Sequence, residues 1–246
     1  MIYKAFRYVI FGFLASLSLF WGASASALVI DYAHLANTIP GEKGFAEPTG
    51  FAHTVGGITV TAHGLKFNKD ATGYEDSATT YNAYLDSTWT GYGPGGLGVC
   101  KTLTSGKQCT PSSDDNLTNG EMLKLVFSAP VTITEFLFRN ANHGETFDAN
   151  ADFELAIDNG VFASHALTHV FNTPVTGTEF RFIVGAFAEN NFTGFANELN
   201  DELYIQTVTF NTPVTTTSVP EPSVLGLASL GLLVFGFGGG QRWRGA

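Results

Sequence analysis

Alternation of apolar and polar residues with a period of two is the feature that most limits how the middle of this chain can fold. Ile58, Val60 and Ala62 alternate with threonines, and residues 123–127 and 153–157 follow a similar pattern. Successive side chains of a strand point to opposite faces, so each run predicts a strand with one buried and one solvated face. Further strands are predicted at 131–138, 179–187 and 203–210.

These strands predict an all-β fold, because strands with one wet face and short connections pair as antiparallel sheets packed face to face. The sequence Asp158-Asn159-Gly160 predicts a hairpin turn, since its residues accept left-handed backbone. The glycine-rich stretch 91–98 lacks the ending of a phosphate-binding loop and is predicted as a turn. We therefore predict an antiparallel β-sandwich of about eight to ten strands, jelly-roll-like, over residues 28–210.

Composition supports a packed core and excludes one class of partner. Hydrophobic residues make up 44% of the chain and charged residues 14%, which favours a folded domain over disorder. The net charge is −10, and four basic residues (Lys4, Arg7, Arg242, Arg244) lie near the ends, which leaves the domain more acidic still. Nucleic acids need clustered Lys and Arg, so we predict no nucleic-acid partner.

The first residues follow the layout of a secretory signal. Lys4 and Arg7 precede an uncharged stretch, 8–21, and the small residues 23–27 follow it. Positive charge, an apolar helix and a small-residue cleavage site are the three parts of a signal peptide. We predict a signal peptide over 1–27, cleaved by signal peptidase after Ala25 or Ala27; a retained membrane anchor is the alternative.

The other end carries a second apolar segment. Residues 211–218 are rich in Thr, Ser and Pro and are predicted to form an extended stalk. Residues 223–240 are uncharged and close to the ~20 residues of a membrane-spanning helix, so a transmembrane helix is predicted there. Two terminal arginines should stay on the cytoplasmic side. The segment begins and ends with Val219, Pro220, Glu221, Pro222, Arg242 and Arg244.

Residues 219–246 resemble the PEP-CTERM sorting signal of Gram-negative bacteria, since Pro-Glu-Pro, an apolar helix and a basic cluster follow in that order. The resemblance implies recognition and cutting by an exosortase near the Pro-Glu-Pro. It also implies anchoring in the inner membrane before processing, followed by residence at the cell surface or in an extracellular matrix. The main domains of such proteins vary, so the resemblance implies sorting and an exopolysaccharide setting rather than a particular activity. An ordinary single-span anchor is the alternative.

Cys100 and Cys109 are predicted to form a disulfide, because an exported protein folds in an oxidising compartment. The alternative is two free thiols. Two cysteines alone cannot make a zinc site.

Acidic residues cluster at several places where loops are predicted. Asp148, Asn150 and Asp152 alternate as calcium ligands can, although Phe153 follows where an EF-hand needs glycine. Asp114 and Asp115 form a second cluster. We hypothesise structural calcium at one of these sites; solvated turn residues are the alternative. No other cofactor is predicted.

An aromatic run between residues 74 and 92 includes Trp89 and Tyr92, which are candidates for stacking on sugar rings. The alternative is a lid over the sheet edge, and Tyr74, Tyr81 and Tyr84 belong to the same run.

No nucleophile elbow or zinc-protease motif occurs in the sequence. We predict a non-catalytic exported protein, structural or adhesive in an exopolysaccharide context. A carbohydrate-binding module is the first alternative and a secreted hydrolase, built on paired carboxylates, is the second.

Overall fold

The computed structural model describes residues 27–70, 73–88, 91–184 and 202–212, with backbone only for 68–70 and 73–79. In these ranges it contains thirteen strands and one short helix. The strands are β1 (Leu28–Asp31), β2 (Lys43–Ala46), β3 (Phe51–Val55), β4 (Ile58–Asp70), β5 (Gly73–Thr80), β6 (Asn82–Thr88), β7 (Pro94–Cys100), β8 (Glu121–Asn140), β9 (Asp152–Ile157), β10 (Ala163–Ala166), β11 (Val170–Phe171), β12 (Val175–Val184) and β13 (Leu203–Asn211), and the helix is α1 (Tyr32–Asn37).

The prediction of an all-β, antiparallel fold is confirmed. Every strand pairing described is antiparallel, and helix is limited to the six residues of α1. The strands expected from alternation fall within β4, β8, β9, β12 and β13, except that residues 185–187 of the strand predicted at 179–187 lie outside the described residues. Asp158 has a left-handed φ of 52°, and the chain turns back there from β9 into β10, as the predicted hairpin requires.

The prediction of a turn over 91–98 is wrong for most of that stretch, because β7 begins at Pro94 and is almost wholly buried. Its glycines allow neighbouring backbone to approach where any side chain would collide. A Cβ on Gly98 would lie 2.1 Å from the carbonyl oxygen of Asp115, and one on Gly96 would lie 2.5 Å from that of Ile205. Glycine content here reflects close packing rather than chain reversal.

The sheet runs in the order β10-β9-β12-β8-β13-β7-β6-β2, and β8 is its central strand. Along one edge, β8 pairs with β4 through Phe127 and then with β13 from Thr132 onward. Pro130 lies at this exchange, and a proline cannot donate a ladder hydrogen bond. On the other edge β12 pairs on both sides of the exchange, with a register shift between Gly177 and Glu179. β8 therefore joins two groups of strands: β4 with its partners β3 and β5, and β13 with its partners β1 and β7.

Both groups of strands bury their apolar faces in one core. Phe127 of β8 packs its ring edge-on against Phe180 of β12 and Phe210 of β13, with centroids 5.6 Å and 5.3 Å apart. A second group of contacting rings lies further along β8, and it consists of Phe136, Phe138, Phe153, Phe171 and Phe182. Residues of β4, β6 and β7 belong to the same core.

The end segments predicted from the sequence lie largely outside the described residues. These are the signal peptide to residue 26, the stalk from 213, and the sorting signal with its helix 223–240. In the ranges that are described, no helix has both the length and the apolar character needed to span a membrane.

Candidate functional site

An open cleft of about 430 Å³ lies where the ends of β6, β8 and β13 meet the segment that follows Cys109. Its wall is formed by carboxyl, amide, hydroxyl and aromatic side chains. The residues that line it are Glu42, Asp86, Ser87, Thr88, Ser112, Ser113, Asp115, Asn116, Ala141, Asn142, His143, Glu202 and Tyr204. No Lys or Arg is among these residues, so the cleft has a negative local charge.

A disulfide and the glycines of β7 hold the residues of this wall together. The disulfide between Cys100 and Cys109 ties the end of β7 to the segment that carries Asp115, with Cα atoms 5.8 Å apart. Gly98 of β7 then lets the Asp115 backbone rest directly against the strand. Gly95 does the same for Asp86, whose Oδ2 would lie 2.4 Å from a Cβ at that position. Both aspartates therefore pack directly against glycines of β7, which have no side chain to keep them away.

His143 is fixed from two sides. It adopts a left-handed φ of 58°, and its Nδ1–H donates to the Gly93 carbonyl at 2.6 Å, since a carbonyl can only accept. Its Nε2 lies 2.5 Å from Asp86 Oδ2. Burial alone lowers the pKa of His143, but the hydrogen bond and charge of Asp86 and the Gly93 carbonyl raise it, and the net pKa lies above the usual value. His143 and Asp86 therefore form a close, buried pair in which Asp86 favours the protonated form of the imidazole.

Asp115 and Tyr204 form a second pair beside the first. The Tyr204 hydroxyl donates to Asp115 Oδ1 at 2.6 Å, and the Tyr204 ring meets that of His143 edge-on at 5.3 Å. Burial raises the pKa of Asp115 to about 7, with a further contribution from the negative charge of Asp86. The Tyr204 hydrogen bond and the His143 charge lower it only in part. Near neutral pH, Asp115 can thus present either a donor or an acceptor to the cleft.

A third group continues the wall away from these pairs. Asn116 is 3% exposed, and its Nδ2 donates to Glu202 Oε2 at 2.7 Å. Burial raises the pKa of Glu202 as well. Glu42, another lining residue, accepts hydrogen bonds from the hydroxyls of Ser87 and Tyr84. The cleft therefore presents several oxygen acceptors whose own positions are set by neighbouring side chains.

The predicted calcium residues fall in two separate places. Asp114 is held by Lys101, whose Nζ lies 2.7 Å from its Oδ1, and Asp115 is bound by Tyr204. Asp148, Asn150 and Asp152 lie in and next to the turn before β9 and are not among the residues that line the cleft; Asp152 accepts from Ser164. Across the described part of the chain, no group of three or more His, Cys, Asp or Glu side chains could hold a metal. Structural calcium stays a prediction.

The aromatic candidates divide. Trp89 lies outside the described residues, and so does every residue of the predicted sorting signal. Tyr92 is half exposed and directly precedes Gly93, the residue that binds His143. Tyr84 is fully buried against the disulfide, so it cannot stack on a ligand. Tyr92 is not among the residues that line the cleft, but its neighbour Gly93 contacts the cleft residue His143, so Tyr92 is the stacking candidate that the described residues retain.

Sequence reasoning identified Asp115 as a metal candidate but missed Asp86, His143 and Tyr204. Asp86 ends an apolar strand run, and His143 follows one, which is a weak signal for residues at the rim of a sheet. Only the fold brings together residues 86, 115, 143 and 204. Their association could not be read from spacing.

No family model and no curated protein matches this chain. Among solved structures it is similar to the family 32 carbohydrate-binding module from C. perfringens NanJ, solved in complex with galactose, at 12% sequence identity. The match covers 69% of this chain and 99% of that chain, with a TM-score of 0.25. A TM-score this low does not support a functional assignment, so the proposed function is based on the cleft itself.

Proposed function

We propose that this chain is a non-catalytic, exported protein of the cell surface or extracellular matrix, whose cleft binds carbohydrate. The observation that carries the proposal is the polar cleft formed around Asp86, Asp115 and His143. An adhesive role in an exopolysaccharide matrix follows from binding of this kind. The export and sorting parts rest on the end segments of the sequence and on their resemblance to PEP-CTERM signals.

Carbohydrate suits this wall because each sugar hydroxyl can both donate and accept a hydrogen bond. Asp115, Asn142 and Ser113 supply carboxyl, amide and hydroxyl partners along one cleft. Acceptors outnumber donors there, which favours a neutral ligand rich in O–H groups over a phosphate or other polyanion. The exposed half of Tyr92, and Trp89 by sequence position, would add apolar ring surface for stacking on a sugar.

For the architecture, we propose the jelly-roll-like sandwich expected from the sequence. It is supported by the exchange of neighbours along β8 and by the single core shared between the two groups of strands. Loops at one end of such a sandwich commonly carry binding residues.

Glycan-array binding tests the proposal with matched variants. Wild-type protein should bind a polysaccharide or a family of oligosaccharides, and Asp115→Asn should weaken that binding at least about tenfold by removing an acceptor in the cleft, a loss of about 1.4 kcal/mol. Glu135→Gln removes the same kind of charge from β8, away from the cleft residues, and should bind as wild type. Absence of binding to every glycan, or equal loss in both variants, contradicts the proposal.

Stacking is tested separately from hydrogen bonding. Tyr92→Ala and Trp89→Ala should each weaken glycan binding, whereas Tyr92→Phe keeps the ring face and should retain it. Equal affinity of Tyr92→Ala and wild type would remove Tyr92 from the site.

Exosortase sorting is tested in the native host. Deleting the exosortase should leave the chain in the inner membrane with its tail uncut. Replacing Pro220, Glu221 and Pro222 with alanines should have the same effect in the unmodified host. Normal release in both cases would overturn the sorting proposal.

One observation favours a second candidate, a glycoside hydrolase. Asp115 has a pKa of about 7 and shares the cleft with Asp86, and a carboxylic acid protonated near neutral pH can act as a general acid. Turnover of a bound polysaccharide that is abolished in Asp115→Asn would favour this candidate. Binding without turnover would favour the non-catalytic proposal.

A further inference from the structure

The Lys101 amine lies between the carboxyl groups of Glu121 and of Asp114, and the sequence neighbours of Asp114 line the cleft. Its Nζ lies 2.7 Å from Asp114 Oδ1 and 3.3 Å from Glu121 Oε1. The side chain of Glu121 is 0% exposed and that of Asp114 13%, while that of Lys101 is 41% exposed. The two carboxyl groups are thus shielded from solvent, and the amine reaches them from the surface.

The fold holds these groups in register with little freedom. Lys101 follows Cys100 at the end of β7, and its backbone N–H donates to Asp114 Oδ2 at 3.2 Å. Both Asp114 oxygens are therefore bound by one residue. The Thr118 N–H donates to Glu121 Oε2 at 2.9 Å. Glu121 Oε1 accepts no hydrogen bond from any other described group and faces the amine.

We propose that Lys101 and Asp114 join in an intramolecular amide, with Glu121 as the group that transfers protons. The Lys101 Nζ attacks Asp114 Cγ, the Nζ–Cγ bond forms, and one Cγ–O bond breaks. The departing oxygen leaves as water with two protons that began on the Lys101 ammonium, while the third stays on the amide nitrogen. Glu121 accepts a proton from Nζ and returns it to the leaving oxygen, so it ends unchanged and no external reagent is needed.

The fold holds the amine and the carboxyl group next to each other, whereas in a bimolecular amide synthesis they must first meet by diffusion. Groups held at attack distance can reach effective concentrations of about 10⁵–10⁸ M, which lowers the barrier to reaction. The Lys101 Nζ lies 2.7 Å from an oxygen of the carboxyl group that it would attack. Hydrogen bonds to Asp114 and Glu121 keep Lys101 protonated against the effect of its partial burial, so the reaction begins with proton transfer from the ammonium. Burial raises the pKa of Glu121 to about 8, and the charge of Lys101 opposes this shift. The ionised form of Glu121, which the ammonium favours, is therefore basic enough to take a proton near neutral pH.

The product is also compatible with the site. Condensation removes the ammonium and one carboxylate together, and the buried Glu121 carboxylate can then take up a proton from solvent, because its pKa is raised and its ammonium partner is gone. The amide would close the segment between residues 101 and 114 beside the disulfide that already closes 100 to 109. Because Asp115 is the next residue, this second covalent tie would hold the cleft wall whether or not the disulfide is reduced.

Mass spectrometry of the full-length chain tests the amide directly. After reduction and alkylation, the intact protein should be lighter than its sequence by one water. Trypsin should then fail to cut after Lys101, and the peptide ending at Lys107 should remain joined to the peptide ending at Lys124. A full-weight protein overturns the proposal, and so does water loss confined to Asp114 with Lys101 still cleaved, since that marks a succinimide.

Three variants separate the roles. Lys101→Arg should show no loss and no joined peptides. Asp114→Asn should form the same joined peptide while losing ammonia instead of water. Glu121→Gln keeps the acceptor for the Thr118 N–H but cannot shuttle a proton, so joined peptide should be absent or much slower to form. Rapid joining in Glu121→Gln would overturn the role of Glu121.

Discussion

At the scale of single residues, the shape of the cleft depends on the glycines of β7 as well as on the polar side chains that line it. Gly95, Gly96 and Gly98 let the backbone of β7 lie under Asp86, Ile205 and Asp115, and that contact sets the floor of the cleft. Asp115 in turn owes its unusual chemistry to its position, since burial and Asp86 together raise its pKa to about 7.

A methyl group at Gly98 tests this close packing. Gly98→Ala would place a Cβ 2.1 Å from backbone that cannot turn aside, so we expect a loss of about 1–3 kcal/mol in the free energy of unfolding. Gly106→Ala is the matched control, because its Cβ would meet only Thr104 Oγ1, at 3.7 Å. Urea denaturation measures both. Equal stability of the two variants would show that β7 does not need glycine at 98.

The raised pKa of Asp115 predicts a pH-dependent stability. Its folded pKa, about 7, exceeds the ordinary value of 3.8, so the folded state binds the proton more tightly. Its stabilising contribution is therefore complete below pH 3.8 and is lost as pH rises toward and through 7. Asp115→Asn, which stays neutral, should melt at a higher temperature than wild type at pH 8 and gain little at pH 4. A constant difference in Tm across that range would contradict the assigned pKa.

At the scale of elements, β8 is the strand that makes the two groups of neighbours one body. Its first half pairs with β4 and its second half with β13. Phe127, at the exchange, contacts rings from both β12 and β13. The disulfide next to β7 fixes the segment that closes the cleft.

Removing the ring of Phe127 should loosen both groups of strands. Phe127→Ala leaves a cavity in the core, and we expect a cost of about 3–5 kcal/mol in the free energy of unfolding. Val161→Ala is the control, since Val161 is 88% exposed and should change stability by less than about 0.5 kcal/mol. Chemical denaturation followed by fluorescence compares them. A loss below about 1 kcal/mol in Phe127→Ala would argue against β8 as the joining strand.

The turn before β9 is the element on which structural calcium can be tested. If Asp148, Asn150 and Asp152 hold the ion, Tm should be higher in calcium than in a chelator, and Asp148→Ala should abolish that difference. Equal Tm values in calcium and in chelator would remove the hypothesis.

Elements were largely predictable from the sequence, and their assembly was not. Alternation located β4, β9 and β13 because it is a property of neighbouring residues. The predicted single buried face is seen in β4 at residues 59–63, whereas β9 and the first residues of β13 are buried on both faces. Alternation failed at β7, where glycines hide a buried strand behind a composition typical of turns. Alternation also could not predict the contact between Asp86 and His143. A sequence pattern describes local geometry, whereas this contact depends on the pairing of strands that are far apart in sequence.

At the scale of the whole molecule, an acidic, all-β domain lies in the sequence between two end segments that are predicted to enter a membrane. The negative charge and the acceptor-rich cleft both point away from polyanions and toward glycans. The proposed place of action, outside the inner membrane, is also where a disulfide persists. The proposed export would place the acidic domain, its cleft and its disulfide in the same compartment.

Mass spectrometry of the mature protein recovered from its native host is the most direct test of that export. The account predicts an N-terminus at Ser26 or Leu28, after signal peptidase has cut, and a C-terminus near Pro220, where an exosortase has cut. Recovery of the chain from the cytosol with Met1 or its neighbours and Ala246 both present would contradict it.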